Sequence, residues 1–215
     1  MGSKLQTCYS LGNMTVLDTS IPHPPTPEAA LQLLLDGNRR YVNNAPHLDE
    51  SPQRRAEVAR GQHPYAMVLG CVDSRVPPEL IFDSGLGELL VVRTAGHVLD
   101  HAVLGSLEFG IEALKIPLLV VLGHDRCGAV KSTLDALEKH MHAHEDIDWL
   151  VEHIKPAFEV AQHEQNLLDA TVKAHVRITV NELKQTPILR EAVEQRKLQI
   201  VGAMYNLESG KVKLL

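Results

Sequence analysis

The chain has 215 residues, the size of one domain, since chains beyond about 250 residues tend to divide. Hydrophobic residues make up 44% and charged residues 22%, an ordinary globular balance, while aromatics reach only 4%, so the core must be built from Leu, Val, Ile and Ala. Lys and Arg number 21 against 27 Asp and Glu, a formal charge of −6 without a basic block, which argues against nucleic acid as a partner.

No run approaches the roughly 18 apolar residues of a membrane span. The opening MGSKLQTCYSLGNMTVLDTS lacks the apolar stretch of about 7–15 residues that a secretory leader needs. The expectation is a cytoplasmic chain with no membrane partner. Three cysteines, Cys8, Cys71 and Cys127, are too few for a disulfide framework. In a reducing compartment such cysteines serve as ligands, nucleophiles or buried apolar residues. Cys8 lies in a polar tail and reads as incidental.

In chain order, IPHPPTP (21–27) separates an N-terminal extension, residues 1–25, from a single domain over 26–215. TPEAALQLLLDGNRRYV then predicts a helix, with Thr26 as N-cap, Pro27 in the first turn and Gly37 as an interruption or weak point. A short helix is predicted from Pro52 to Arg60. Four continuous apolar runs follow: YAMVLGC (65–71), ELLVVR (88–93), PLLVVLG (117–123) and LQIVGAMY (198–205). Unbroken apolarity is what parallel strands covered on both faces require. Between them lie a helical segment at 101–114 and a long, predominantly helical stretch from about 128 to 195. LESGKVKLL closes the chain as a turn at Ser209-Gly210 and an antiparallel edge strand. The expected fold is α/β: a mostly parallel sheet of four strands plus that edge strand, flanked by helices, with an N-terminal helical arm.

In open α/β sheets, ligands bind beyond the carboxyl ends of strands where strand order reverses. Two clusters occupy such ends. Cys71-Val-Asp73 closes the first strand, and His124-Asp-Arg-Cys127-Gly closes the third. His124 and Cys127, at i and i+3, can present two ligands to one ion, and neighbouring strands would bring Cys71 to them as a Cys₂His set. Each cluster alone is a weak signal. The plain alternative makes both cysteines buried small hydrophobes and His124 a helix-cap residue. His140, His142 and His144 in HMHAH read as a solvated surface, because 140 and 142 do not share a helical face. His97 and His101, just past the second strand, read as structural or interfacial, with a proton relay as the alternative.

GCVDSRVPPELIFDSGLGELLVVRTAGHV followed by GSLEFGIEALKIPLLVVLGHDRCGAV resembles the β-class carbonic anhydrases, closely over about 65–131 and more loosely elsewhere. The resemblance implies zinc held by Cys71, His124 and Cys127, with Asp73 and Arg75 as a catalytic dyad. It implies reversible hydration of carbon dioxide to bicarbonate by zinc-bound hydroxide, in a homodimer or homotetramer. It also matches Gln62, Leu90, Ala95, Phe109 and the Gly128 backbone to substrate-binding positions, each with ordinary core packing as its alternative. Some members close the site by placing the aspartate on zinc, which makes Asp73 a fourth ligand in a closed state. A noncatalytic bicarbonate pocket uses Trp, Arg and Tyr. Arg93 and Tyr205 match that pattern, but Val68 stands at the tryptophan position. Three rivals remain: the same site acting on carbon disulfide or carbonyl sulfide, a structural or bicarbonate-sensing zinc module, and a nucleotide-binding domain. The last would want a glycine-rich phosphate loop where CVDSRVPPE stands.

Overall fold

In a computed structural model the protein is described over residues 26–140 and 145–215. Cys8, His142 and His144 lie outside these residues. Strands β1 (Ala66–Cys71), β2 (Leu89–Thr94), β3 (Leu118–His124), β4 (Gln199–Tyr205) and β5 (Val212–Leu214) form one sheet in the order β2-β1-β3-β4-β5. All neighbours are parallel except β4 and β5.

The period of two along a strand explains why the runs are continuously apolar. Met67, Leu69 and Cys71 of β1, with Leu119 and Val121 of β3, point to one side. There they meet α4 (His101–Glu112), α5 (Gly128–Lys139), α6 (Glu145–Ala161), α7 (Leu167–Gln185) and α8 (Pro187–Glu194). Ala66, Val68, Leu118, Val120 and Leu122 point to the other side, against α1 (Pro27–Val42) and α3 (Pro78–Ile81). Every residue of β1 and β3 is buried. β2 departs from the expectation of a strand covered on both faces: all six of its residues are only partly buried. Its place at the sheet edge is the reason. The region from 128 to 195 is divided among four helices, with His140 in a left-handed conformation (φ 49°) ending α5.

The N-terminal arm consists of α1 and α2 (Pro52–Val58). Thr26 caps α1 by accepting from Ala29 N at 3.2 Å, and Pro27 stands in the first turn. Gly37 does not interrupt the helix. The helix passes so close to the Phe82 carbonyl that a Cβ at position 37 would collide with it, so this glycine serves contact rather than flexibility. Next to it, buried Asn38 donates to Ile81 O (3.0 Å) and Gly210 O (2.9 Å) and accepts from Val212 N (2.9 Å). One side chain thereby ties α1 to α3 and to the edge strand. The closing turn carries Gly210 at φ 68°, as the sequence pattern requires.

Candidate metal centre

β1 has β2 on one flank and β3 on the other, so strand order reverses between β1 and β3. Both strands end there with a chemical group. Cys71 is the last residue of β1 and His124 the last of β3. A turn through Arg126 (φ 54°) brings Cys127 back as the N-cap of α5, where the start of a helix favours negative charge on sulfur.

The Cys71 and Cys127 sulfurs are 4.0 Å apart. One ligand atom from each of Cys71, His124 and Cys127 lies within 4.8 Å of the others. Tetrahedral zinc with bonds of about 2.3 Å to sulfur would place two sulfurs about 3.8 Å apart, so the set is close to the required size. All three side chains are buried, His124 completely. His124 Nδ1 lies 2.9 Å from Asp125 O, which makes it the protonated nitrogen and leaves the Nε2 lone pair free. That buried Nε2 has no hydrogen-bond partner among the described residues. Leaving a buried acceptor unsatisfied costs about 1–3 kcal/mol unless something occupies it, and a metal ion would. The contact between the two sulfurs pulls the Cys71 pKa down and, together with burial, pushes that of Cys127 up.

Asp73 lies beyond the end of β1, gripped by Arg75. Its Oδ1 accepts from Arg75 N and Nε, both at 2.9 Å, and its Oδ2 from the guanidinium at 2.7 Å. This two-point grip holds the carboxyl pKa down to about 2, against the opposing effect of burial. Oδ2 stands 3.9 Å from His124 Nε2.

Arg93 stands at the arginine position of the noncatalytic bicarbonate pocket, a pocket that Val68 at the tryptophan position argues against. In the fold its guanidinium is engaged elsewhere, donating to Cys71 O (2.7 Å) and Asp73 O (2.6 Å). It clamps the backbone on which both residues sit, a role that sequence reasoning missed. An arginine closing the apolar run of β2 was the available signal. Tyr205 pairs its hydroxyl with that of Tyr41 at 3.2 Å, and Val68 is buried in the opposite core.

The remaining candidates separate. Ala95 follows β2 directly, next to the Cys71–Thr94 pair. Gly128 opens α5 beside Cys127, with open space where a Cβ would stand. Both adjoin the cluster. Leu90 pairs with Met67, well down the strand, and shares an exposed groove with Phe109, Arg93 and His101. Gln62 precedes the amino end of β1, whose length alone, about 17 Å, separates Ala66 from Cys71. Along its own strands, then, Gln62 and Leu90 stand back from the sulfurs, and Phe109 shares the groove of Leu90. His97 is buried, and His101 faces the groove.

A buried Cys₂His set at the switch point of a parallel sheet, flanked by an arginine-held carboxylate, defines a metal-binding α/β protein. Comparison with known proteins narrows the class. The sequence profile of the family described as carbonic anhydrase matches residues 66–212. The carbonic anhydrase of Mycolicibacterium smegmatis is 42% identical over 191 residues, covering 87% of this chain and 93% of that protein. The Coccomyxa β-carbonic anhydrase, solved in complex with acetazolamide, superposes with a TM-score of 0.69 at 27% identity, covering 86% of each chain. A tetrameric β-carbonic anhydrase from Sordaria macrospora gives a TM-score of 0.69 at 22% identity, covering 86% of this chain and 96% of that one. The chain belongs to the β-class carbonic anhydrases, and its activity is that of a lyase.

Proposed function

We propose that the protein catalyses the zinc-dependent, reversible hydration of carbon dioxide to bicarbonate and a proton, with Cys71, His124 and Cys127 as metal ligands and Asp73 and Arg75 as the catalytic dyad. The observation that carries this reading is the orphaned, buried Nε2 of His124, set between two sulfurs and 3.9 Å from a carboxylate that Arg75 holds. Zinc in this set supplies a Lewis acid that acidifies a bound water.

The protein's own groups then divide the work. Two thiolates and a neutral imidazole leave the centre without net charge, so the acidification is weaker than three histidines would give. A positioned acceptor is correspondingly valuable, and Asp73 Oδ2 can take the hydrogen bond from a nucleophile held at the centre. Arg75 keeps that carboxylate off the metal while leaving Oδ2 aimed towards it. Ala95 offers an apolar wall suited to a nonpolar gas, and Gly128 leaves open space beside Cys127 where a side chain would stand. Released from Arg75, Asp73 would be the fourth ligand of a closed state; the grip seen here belongs to the open one.

The reading extends to a single catalytic domain over 26–215 in a cytoplasmic homodimer or homotetramer. Among the described residues, no helix is long and apolar enough to cross a membrane. Half-buried β2 and the groove holding Leu90 and Phe109 suit a second copy, which would give these two residues and Gln62 a place outside their own chain's cluster. The Sordaria macrospora protein, which shares the fold, is a tetramer. Sedimentation of the wild type against Leu90→Arg tests this: a shift to monomer supports pairing through β2, and an unchanged assembly removes it.

Asp73→Asn tests the dyad. Zinc should stay bound while hydration turnover falls by roughly a hundredfold or more. Wild-type turnover would take Asp73 out of the mechanism. Measuring carbon disulfide and carbonyl sulfide hydrolysis on the same preparation separates the substrate alternative.

A further inference from the structure

Behind the cluster lies a second set of buried polar groups to which the proposed reaction assigns no role. The turn after β2, Ala95–His97, carries Gly96 and His97 in consecutive left-handed conformations (φ 63° and 50°). Such a conformation is uncommon for a residue with a side chain and persists only where its surroundings hold it. Gly96 is held at both ends. Its N–H donates to Cys71 Sγ at 3.4 Å, and its carbonyl lies 2.9 Å from Nε2 of His175, a buried residue of α7. There is no room for slack: a Cβ on Gly96 would stand 3.0 Å from Ile154 Cδ1 and 3.2 Å from Ala129 Cβ. His97 packs its ring on His175 with centroids 4.5 Å apart.

We propose that His175 is a positioning residue for the metal centre: by donating to the Gly96 carbonyl, it orients the Gly96 N–H onto the Cys71 sulfur and so limits how much charge that thiolate gives the metal. This rests on Cys71 being a metal ligand. The chain of contacts needs a specific tautomer. A carbonyl accepts only, so Nε2 of His175 carries the proton, and Nδ1, buried and without a partner among the described residues, is bare. Burial keeps the ring neutral, pulling its pKa down to about 4. An N–H···S bond stabilises the sulfur lone pairs, so a ligand relieved of it donates more strongly.

Cobalt substitution reads this directly, without turnover. His175→Phe should move the thiolate-to-cobalt charge-transfer absorption to lower energy. His175→Gln, whose amide can donate to the same carbonyl, should return it towards the wild-type position. A band unmoved in His175→Phe overturns the proposal. If wild-type protein shows no thiolate-to-cobalt absorption at all, the metal assignment fails and the positioning role with it. Two measurements on the wild type need no variant to fold. Nitrogen NMR at neutral pH should find His175 as the neutral Nε2–H tautomer. Cadmium-substituted protein should show coupling between the metal and the Gly96 amide proton. A His175 protonated on Nδ1, or no such coupling, contradicts the proposal.

Discussion

Two groups of buried histidine sit within this fold, and they behave differently. His124 has one nitrogen settled on a backbone carbonyl and the other turned towards two sulfurs and a carboxylate. His97 and His175 are equally enclosed and also carry unpartnered nitrogens, yet among the described residues they belong to no cluster of three metal-ligating groups. Their neighbours are each other, a strained turn and apolar side chains of α6 and α7. An orphaned nitrogen therefore marks a ligand only where other donors converge on it. Elsewhere a buried imidazole is a neutral strut.

Substitution at the two groups should show the widest contrast. His124→Ala removes one of the three proposed ligands and should abolish both metal binding and hydration, read by metal analysis and stopped-flow. Retained zinc would place the metal elsewhere. Asp73→Asn should separate the two properties, keeping zinc while turnover drops by roughly a hundredfold or more. Because Arg75 holds Asp73 down to about pKa 2, this carboxylate is expected to be ionised from mildly acidic to alkaline pH. An activity change over that range is then expected to come from the proposed metal centre and not from titration of Asp73.

The strut should show itself in acid stability. His175 has its pKa lowered to about 4 by burial, below the unfolded value of about 6.5. Between these values the unfolded chain binds the extra proton, so stability is full above about pH 6.5 and declines as pH falls towards 4. The loss amounts to about 3 kcal/mol for this residue, and His97, shifted in the same direction, adds to it. Denaturant midpoints measured across that range check the slope. His175→Gln should flatten it, and a stability independent of pH there would mean the pair is not buried neutral. Smallest of all, His101→Ala, at the exposed start of α4, should change the unfolding free energy of the chain by no more than about half a kcal/mol, read from denaturant midpoints.

What the sequence discloses follows the same division. Strand positions are legible because apolarity runs unbroken through β1 and β3, and the Cys71, His124 and Cys127 set is legible because each residue falls at a strand end or one turn beyond it. The local grammar of α1 is legible too, through Thr26 and Pro27. Gly37 reads as a weak point because its reason, the Phe82 carbonyl, is 45 residues away in sequence. His175 gives no signal, since one histidine in a long helix looks the same whether it faces water or a turn behind the metal centre. The partial exposure of β2 depends on strand order, which apolar content does not encode. Gln62, Leu90 and Phe109 match substrate positions by their place in the chain alone, and the strand positions of the first two lie back from the sulfurs.

The most direct test joins composition to chemistry on one preparation: zinc content together with stopped-flow carbon dioxide hydration across pH. One zinc per chain and a rate that rises with pH through a single titration are expected. Full activity without zinc, or a flat profile from mildly acidic to alkaline pH, would contradict it.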